Sequence, residues 1–334
     1  MSSYPRLLRD APEILRIAKS LLSAGPAVFF KDAMPVGLQF KNLSKFIRMY
    51  FGAHLPVYGS ADITNVCNLK CRHCYWWKNR GRSGELDAAQ WSRIIDDVFL
   101  KNDVLNVALT GGEPMTRPEI IRLFSKKMPG RFSIVTNGTL GLERIKGLST
   151  YYVSIDGTEK IHNRIRGLDI YSKVKRNVGD YGDLVTLNMT LNAINCGCIE
   201  QVVDEWHGIA SYVNFQFHTP FDKRDPLWIP FGPKRDAAIE KIGRMKEKYP
   251  GFFLNTDRQL ENLRSGAWTK KCPSWAFISL DSSGKVKKPC CIGGGDKKPI
   301  CKRCGICETS GFYSGIYQFD TEWIDIYNSF FRSK

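Results

Sequence analysis

The chain has 334 residues, 43% of them hydrophobic and 25% charged, which is typical of a globular protein with one large domain and a smaller one. No apolar run approaches the roughly 18 residues that cross a bilayer, and the N-terminus lacks a signal-peptide pattern. We therefore expect a cytoplasmic protein whose eleven cysteines are metal ligands rather than disulfides. The net charge of +16 favours polyanionic partners or an ordinary solvated basic surface. Its cations are spread along the chain, so we do not expect nucleic acid as a partner.

Residues 1–55 are predicted to form a basic amphipathic helical segment. Apolar and basic side chains alternate there at helical spacing, as in Leu7, Leu8, Arg9, Ile14 and Arg16. Such a helix can lie on an anionic membrane surface, or it can simply cover one end of the next domain. Both interpretations stay open from the sequence.

From residue 56 to about residue 225, short apolar runs alternate with amphipathic stretches. Strands are predicted at 58–64, 104–109, 132–135, 151–155, 185–191 and 213–217, and helices at 87–100, 118–128, 140–148, 170–181 and 199–209. Strands that alternate with helices form a parallel sheet with right-handed crossovers. Six such units fall short of the eight in a closed barrel.

The first motif is a run of three cysteines, Cys67, Cys71 and Cys74, after the first predicted strand. A tetrahedral structural metal site needs four ligands, whereas a cubane of four irons held by three thiolates keeps one iron open. His73 lies inside the run and is not expected to be a ligand. The second motif, Thr110-Gly-Gly-Glu-Pro114, follows the second strand.

Together these motifs resemble the radical S-adenosylmethionine (radical SAM) superfamily. The resemblance implies an α/β fold, namely a partial (β/α)6 TIM-like barrel with a small cysteine-rich C-terminal auxiliary-cluster domain. It also implies a [4Fe-4S] cluster on Cys67, Cys71 and Cys74, S-adenosylmethionine as ligand, and an electron donor such as ferredoxin or flavodoxin. The residues it places around S-adenosylmethionine are Tyr75, Gly111, Gly112, Glu113, Pro114, Asn137, Ser154, Asp156, Arg166 and Asn192. His218, at the end of the sixth strand, is a weaker candidate at the same edge.

The second cysteine group lies in residues 271–310, a stretch with little periodicity that metal is expected to order. Its members are Cys272, Cys290, Cys291, Cys301, Cys304 and Cys307. The stretch resembles the SPASM and twitch auxiliary domains, which implies a second [4Fe-4S] cluster. We favour Cys272, Cys290, Cys304 and Cys307 as its ligands, with Cys301 as the first replacement. Zinc is the main alternative. Cys196 and Cys198 fit neither group and are interpreted as packing thiols.

The remaining boundaries complete the predicted organisation. Residues 56–225 form the barrel core, 226–270 a linker and a helix, 271–310 the auxiliary domain, and 311–334 an aromatic tail that packs back as a helix.

Reductive cleavage of S-adenosylmethionine and hydrogen abstraction from an unactivated carbon is the activity that the resemblance implies. A membrane lipid or prenyl-type substrate, with C–C bond formation and peripheral contact with an anionic membrane, is the leading prediction because of residues 1–55. The alternative is a maturase of peptides or proteins of the SPASM/twitch class. An alternative of another class, a non-catalytic iron–sulfur or zinc protein, leaves the Gly-Gly-Glu-Pro motif and the six β/α units unexplained.

Overall fold

The structure is a computed structural model that describes residues 44–79 and 84–329. Its strands are β1 (Tyr58–Thr64), β2 (Asn106–Gly111), β3 (Phe132–Thr136), β4 (Leu148–Ser154), β5 (Val185–Leu191), β6 (Tyr212–Phe217) and β7 (Phe277–Leu280). They form one sheet in the order β6-β5-β4-β3-β2-β1-β7. Every neighbouring pair is parallel, so all the carboxyl ends lie at one edge.

Helices connect and cover these strands. They are α1 (residues 44–50), α2 (Tyr75–Asn79), α3 (Ala88–Ile94, continued by a π-helix over Ile95–Leu100), α4 (Pro118–Lys127), α5 (Glu159–Arg166), α6 (Tyr171–Gly179), α7 (Ile199–Trp206), α8 (Pro233–Lys248), α9 (Asp257–Ser265), α10 (Cys307–Tyr317) and α11 (Thr321–Ser329). None of the helices within the described ranges is long and apolar enough to span a membrane.

The sheet curves into a partial barrel, and its two faces differ. One face carries apolar side chains such as Ile63 and Val107, which are buried in the main core. The other face carries polar side chains, and Tyr58 of β1 and Asn214 of β6 line the same small cavity on it. Five strand spacings would separate these residues by about 24 Å in a flat sheet. The shared cavity therefore shows that the strands wrap around a polar interior.

The six predicted strands are confirmed, and every one of them except the third is followed by a helix. Two strands, Tyr58–Thr64 and Val185–Leu191, have the predicted bounds. The predicted short helix at 140–148 is wrong. Gly147 has φ of +73°, outside the right-handed helical region, and Leu148 already begins β4. Helix α5, Glu159–Arg166, is not among the predicted helices.

The seventh strand was also not foreseen as part of this sheet. Strand β7 pairs with β1 in parallel, from Tyr58 opposite Phe277 to Ala61 opposite Leu280. Within the described residues, one antiparallel bridge also joins Leu280 to Val286. The second cysteine group is therefore attached directly to the edge of the barrel.

The amino-terminal end of the barrel is closed by the C-terminal helices. Phe312 of α10 and Trp323 and Tyr327 of α11 pack against Phe46 of α1 and Tyr58 of β1. The prediction that the aromatic tail packs back as a helix is confirmed through Ser329. Residues 1–43, which carry most of the predicted basic segment, lie outside the described residues.

Candidate active site

The first cysteine group lies in the loop between β1 and α2, at the carboxyl end of the sheet. Three neighbours hold this loop. The Glu113 amide donates to the Val66 carbonyl at 2.8 Å, and the Arg72 amide donates to the Ile165 carbonyl at 2.8 Å. The Trp77 indole donates to the Cys71 carbonyl at 2.9 Å. The loop conformation is thus fixed by contacts from β2, α5 and α2.

All three thiols of this loop line one cavity of about 220 Å³. Other predicted residues line it too, namely Tyr75, Gly111, Gly112, Glu113, Asn137, Ser154 and Arg166. Burial raises the pKa of Cys67 and Cys71, and it raises the pKa of Cys74 to about 11. Metal loading must therefore release protons from these thiols. Three thiols around one space fit a cluster with one open iron.

Gly112 serves the packing of two loops rather than the approach of a ligand. A Cβ at Gly112 would lie 2.0 Å from the Val66 carbonyl oxygen. The Gly112 amide also donates to the Thr64 carbonyl at 2.9 Å. The glycine therefore lets the Gly-Gly-Glu-Pro turn lie directly against the cysteine loop.

Glu113 joins the ends of β2 and β3. Its Oε1 accepts from the Thr136 hydroxyl at 2.7 Å and from the Met115 amide at 3.1 Å, and its Oε2 accepts from the Asn137 amide at 2.8 Å. Burial raises the pKa of Glu113, although these hydrogen bonds oppose the rise. The carboxylate lines the cavity, and its contact with the amino group of S-adenosylmethionine stays a prediction.

Asp156 does not line the cavity, contrary to the expectation that it lies at the cofactor. It is fully buried, and its Oδ2 lies 2.6 Å from the Arg166 Nε. Burial by itself would raise the pKa of Asp156, but the guanidinium of Arg166 and the His73 ring outweigh that effect and lower it. Arg166 does face the cavity, where its Nη1 donates to the Cys71 sulfur at 3.7 Å. Asp156 therefore holds an arginine that faces the first cysteine group.

Two more predicted contacts lie outside the cavity. Asn192 is fully buried, and its side chain closes a turn by accepting from the Ile194 amide at 2.9 Å and donating to the Thr190 carbonyl at 3.2 Å. Pro114 is the first residue of a 3₁₀ turn. Both shape the backbone around the site rather than line it.

Apart from His218, the sequence reasoning missed the wall formed by β5, β6 and the segment after them. Its members are Asn188, Thr190, Gln216, Phe217, His218, Thr219 and Phe221. His218, a weak candidate before, lines the cavity, and its Nε2 lies 2.8 Å from Asp225 Oδ2. Polar residues recurring at every second position near the ends of β5 and β6 were the available signal, because such residues face one side of a strand.

Asn163 has a structural explanation. Its Oδ1 accepts from the Ile170 amide at 3.1 Å and the Tyr171 amide at 3.0 Å, so it joins α5 to the start of α6. Asn163 therefore fixes the junction between these two helices.

The second cysteine group gathers beside the same cavity. Cys272, Cys290, Cys291 and Cys304 share one apolar cluster with Tyr75, and Ile292 and Ile306 of that cluster also line the cavity. Burial raises the pKa of Cys272 to about 12, and the neighbouring Cys304, Cys290 and Cys301 contribute to the rise. Cys301 is exposed but lies near these thiols.

Cys307, which the sequence favoured as a ligand, lies apart from these thiols. Its sulfur accepts from Asn214 Nδ2 at 3.1 Å and donates to Glu308 Oε2 at 3.1 Å. It lines the second cavity of about 70 Å³, inside the barrel with Tyr58. The geometry therefore favours Cys301 over Cys307 as the fourth ligand.

Two observations bear on metal binding more generally. Within residues 44–79 and 84–329, no three His, Cys, Asp or Glu side chains converge on a position for a single ion. An iron–sulfur cluster does not need thiolates that converge on one position, because each thiolate binds a different iron. Cys198 is buried in the main core and Cys196 packs against it, as predicted for packing thiols.

Comparison with known proteins agrees with this arrangement. The profile described as the Radical SAM superfamily matches residues 62–191. The chain is 32% identical over 124 residues to the antilisterial bacteriocin subtilosin biosynthesis protein AlbA of Bacillus subtilis, covering 34% of this chain and 27% of that one. It is 30% identical over 186 residues to the Fe-coproporphyrin III synthase of Methanosarcina barkeri, covering 52% of this chain and 46% of that one. The chain thus spans less than half the length of these relatives.

Among solved structures, Streptococcus suis SuiB bound to precursor peptide SuiA superposes with a TM-score of 0.59 at 14% identity, covering 93% of this chain and 79% of that one. At that identity the likeness concerns the fold. The matched profile, the parallel partial barrel and the three cysteines at its carboxyl edge agree with one another. Residues 62–191 of this chain therefore match the radical SAM superfamily, and a second group of cysteines follows them in residues 271–310.

Proposed function

We propose that this protein cleaves S-adenosylmethionine reductively and abstracts hydrogen from a carbon of a peptide or protein substrate. The observation that carries the proposal is one cavity that both cysteine groups adjoin. Cys67, Cys71 and Cys74 line it directly, and Ile292 and Ile306 of the second group's cluster form another part of its wall. Substrate in this cavity lies between the two cysteine groups.

When bound, a [4Fe-4S] cluster and S-adenosylmethionine supply an electron and a 5′-deoxyadenosyl radical. The protein's own residues orient these groups and shield them from water. Arg166 places a positive charge at Cys71, which favours the thiolate form of a ligand. Tyr75 stacks on Phe221, with ring centroids 5.6 Å apart, and this pair forms an apolar wall that limits water.

The polar wall of β5 and β6 suits a peptide. Asn188, Thr190 and Gln216 present amide and hydroxyl groups to the cavity, and such groups hydrogen-bond peptide backbones. His218, fixed by Asp225, lies where it can accept a proton lost from the substrate.

The relatives support the same substrate class. AlbA is named for bacteriocin biosynthesis, and SuiB was solved with its precursor peptide. The predicted lipid substrate depended on residues 1–55, most of which lie outside the described residues. Because another relative is named Fe-coproporphyrin III synthase, a tetrapyrrole substrate is the alternative to be tested.

The test follows the abstracted hydrogen. Reconstituted protein, dithionite and S-adenosylmethionine are incubated anaerobically with peptide, lipid or tetrapyrrole fractions from cells grown in deuterated water. We expect deuterium in 5′-deoxyadenosine only with the peptide fraction, and we expect protease treatment of that fraction to abolish the transfer. Transfer from the lipid or tetrapyrrole fraction alone would overturn the proposed substrate class. The Cys71→Ala variant measures the background of deuterium transfer without an active enzyme.

A further inference from the structure

A buried lysine–carboxylate pair lies between the two cysteine groups. The Lys287 Nζ is 2.5 Å from Asp62 Oδ2, and the two side chains are 1% and 0% exposed. Asp62 belongs to β1, which leads into the first cysteine loop, and Lys287 precedes Cys290 in the second. The pair therefore joins the segments that carry the two groups.

The surroundings show how close the lysine charge is to both groups. Its Nζ lies 5.6 Å from the ring centroid of Trp76, which follows Cys74 by two residues. The same charge helps to lower the pKa of the Cys290 thiol, and it opposes the rise in the pKa of the Cys291 thiol. Lys287 is thus a buried cation beside Cys290 and Cys291 of the second cysteine group.

The pair is held firmly on each side. The Thr110 hydroxyl donates to Asp62 Oδ1 at 2.7 Å, and the Lys287 amide donates to the Ser279 carbonyl of β7 at 2.7 Å. A Cβ at Gly294 would lie 2.8 Å from Lys287 Cγ, so the chain after the lysine folds back over its stem. The charge has little freedom to move away.

Stability alone is a poor reason for such a pair. Removing two charges from water is costly, and well-packed apolar residues often stabilise a core equally well or better. A fixed charge in a low-dielectric interior does, however, act strongly on a redox centre nearby, since hydrogen bonds, net charge and burial set cluster potentials.

We propose that Lys287 raises the reduction potential of an auxiliary cluster bound beside Cys290, and that Asp62 limits this rise. The inference rests on the proposed function, specifically on a cluster at the second cysteine group. One-electron reduction adds a negative charge to the cluster. A neighbouring cation stabilises that reduced form and a neighbouring carboxylate destabilises it.

The experiment is a redox titration followed by electron paramagnetic resonance on the full chain, reconstituted anaerobically. Replacing Cys67, Cys71 and Cys74 together by alanine leaves only the auxiliary signal. In that background Lys287→Met is expected to reduce the ratio of reduced to oxidised cluster at fixed potential by about tenfold, which corresponds to about 59 mV. Asp62→Asn is expected to shift the ratio in the opposite direction, and Lys287→Arg is expected to stay near the parent value.

Lys45→Met is the matched control. Lys45 is a mostly buried lysine 3.5 Å from Asp103 near the amino-terminal ends of β1 and β2, away from the cysteines. The Lys45→Met substitution should lower thermal stability without changing the reduction potential of the auxiliary cluster. Shifts of equal sign in Lys287→Met and Asp62→Asn, or no shift in either, would overturn the inference while the proposed function stands. Absence of any cluster in the triple-alanine background would overturn this inference, and normal S-adenosylmethionine cleavage by the parent chain would then show that the proposed activity is intact.

Discussion

The two cysteine groups reach the same cavity by different routes. Cys67, Cys71 and Cys74 lie within eight residues of one loop, and the backbone of that loop alone brings them together. Cys272, Cys290 and Cys304 come from separate segments and meet through packing around Trp268 and Ile306. A local site can be identified from spacing, whereas a site assembled from distant segments depends on the tertiary fold.

The largest expected effect is a difference between the two cysteine groups in the cleavage of S-adenosylmethionine. Cys71→Ala should reduce formation of 5′-deoxyadenosine to the level of protein-free controls, because the open-iron cluster loses one of only three thiolates. Cys272→Ala should retain cleavage of S-adenosylmethionine in the absence of substrate. Product analysis by liquid chromatography and mass spectrometry measures both. Equal loss in the two variants would contradict the division of roles.

A second experiment tests which cysteine completes the auxiliary group. Cys301→Ala should lose about four irons per chain, since Cys301 lies near Cys272, Cys290 and Cys304. Cys307→Ala should retain them, because Cys307 contacts Asn214 and Glu308 instead. Iron and sulfide analysis after reconstitution decides between them. The reverse pattern would restore the assignment favoured by the sequence.

A third experiment removes the buried ion pair between Arg166 and Asp156, which lies next to the first cysteine group. Arg166→Gln leaves Asp156 buried without its charged partner and should cost about 3–5 kcal/mol in the free energy of unfolding. The control Arg144→Gln removes an exposed pair with Asp183 and should leave the free energy of unfolding almost unchanged. Urea denaturation of the apoproteins measures both, and similar losses in the two variants would contradict a buried role for Arg166.

A smaller steric change tests the packing of the two loops. Gly112→Ala places a Cβ against the Val66 carbonyl and should cost about 1–3 kcal/mol, together with reduced iron content in the first group. Gly243→Ala, in α8 with open space around it, should be neutral or stabilise by up to about 1 kcal/mol. Thermal unfolding and iron analysis provide the comparison, and an unchanged Gly112 variant would show that the loops adjust freely.

The last expected effect depends on pH and is small near neutral pH. Burial lowers the pKa of His162 to about 3, and its Nδ1 accepts from the Asp156 amide at 3.2 Å. The unfolded chain therefore binds more protons between about pH 6.5 and 3, and the folded state loses up to about 1.4 kcal/mol per pH unit as the pH falls through that window. His162→Gln should remove this slope in urea denaturation between pH 6.5 and 4.5. Parallel stability curves for the two proteins would contradict it.

Much of the site could be predicted from the sequence. The ends of parallel strands share one edge, so motifs after β1, β2, β3 and β4 had to meet there. Cys67, Gly112, Asn137 and Ser154 do line one cavity. The exceptions were Pro114, Asp156 and Asn192. For the two polar residues, their neighbours along the chain do not reveal whether the side chain faces a ligand or a buried partner.

The sequence by itself determined the alternation of strands and helices, because hydrophobic periodicity depends on residues close along the chain. It also determined the first cysteine group, because eight residues of one loop fix the thiol spacing. Only the tertiary structure decided that β7 joins β1, that Cys307 lies apart from the other auxiliary thiols, and that Lys287 meets Asp62. Each of these contacts joins residues far apart in the chain, and no local pattern encodes which distant surface a segment will bury.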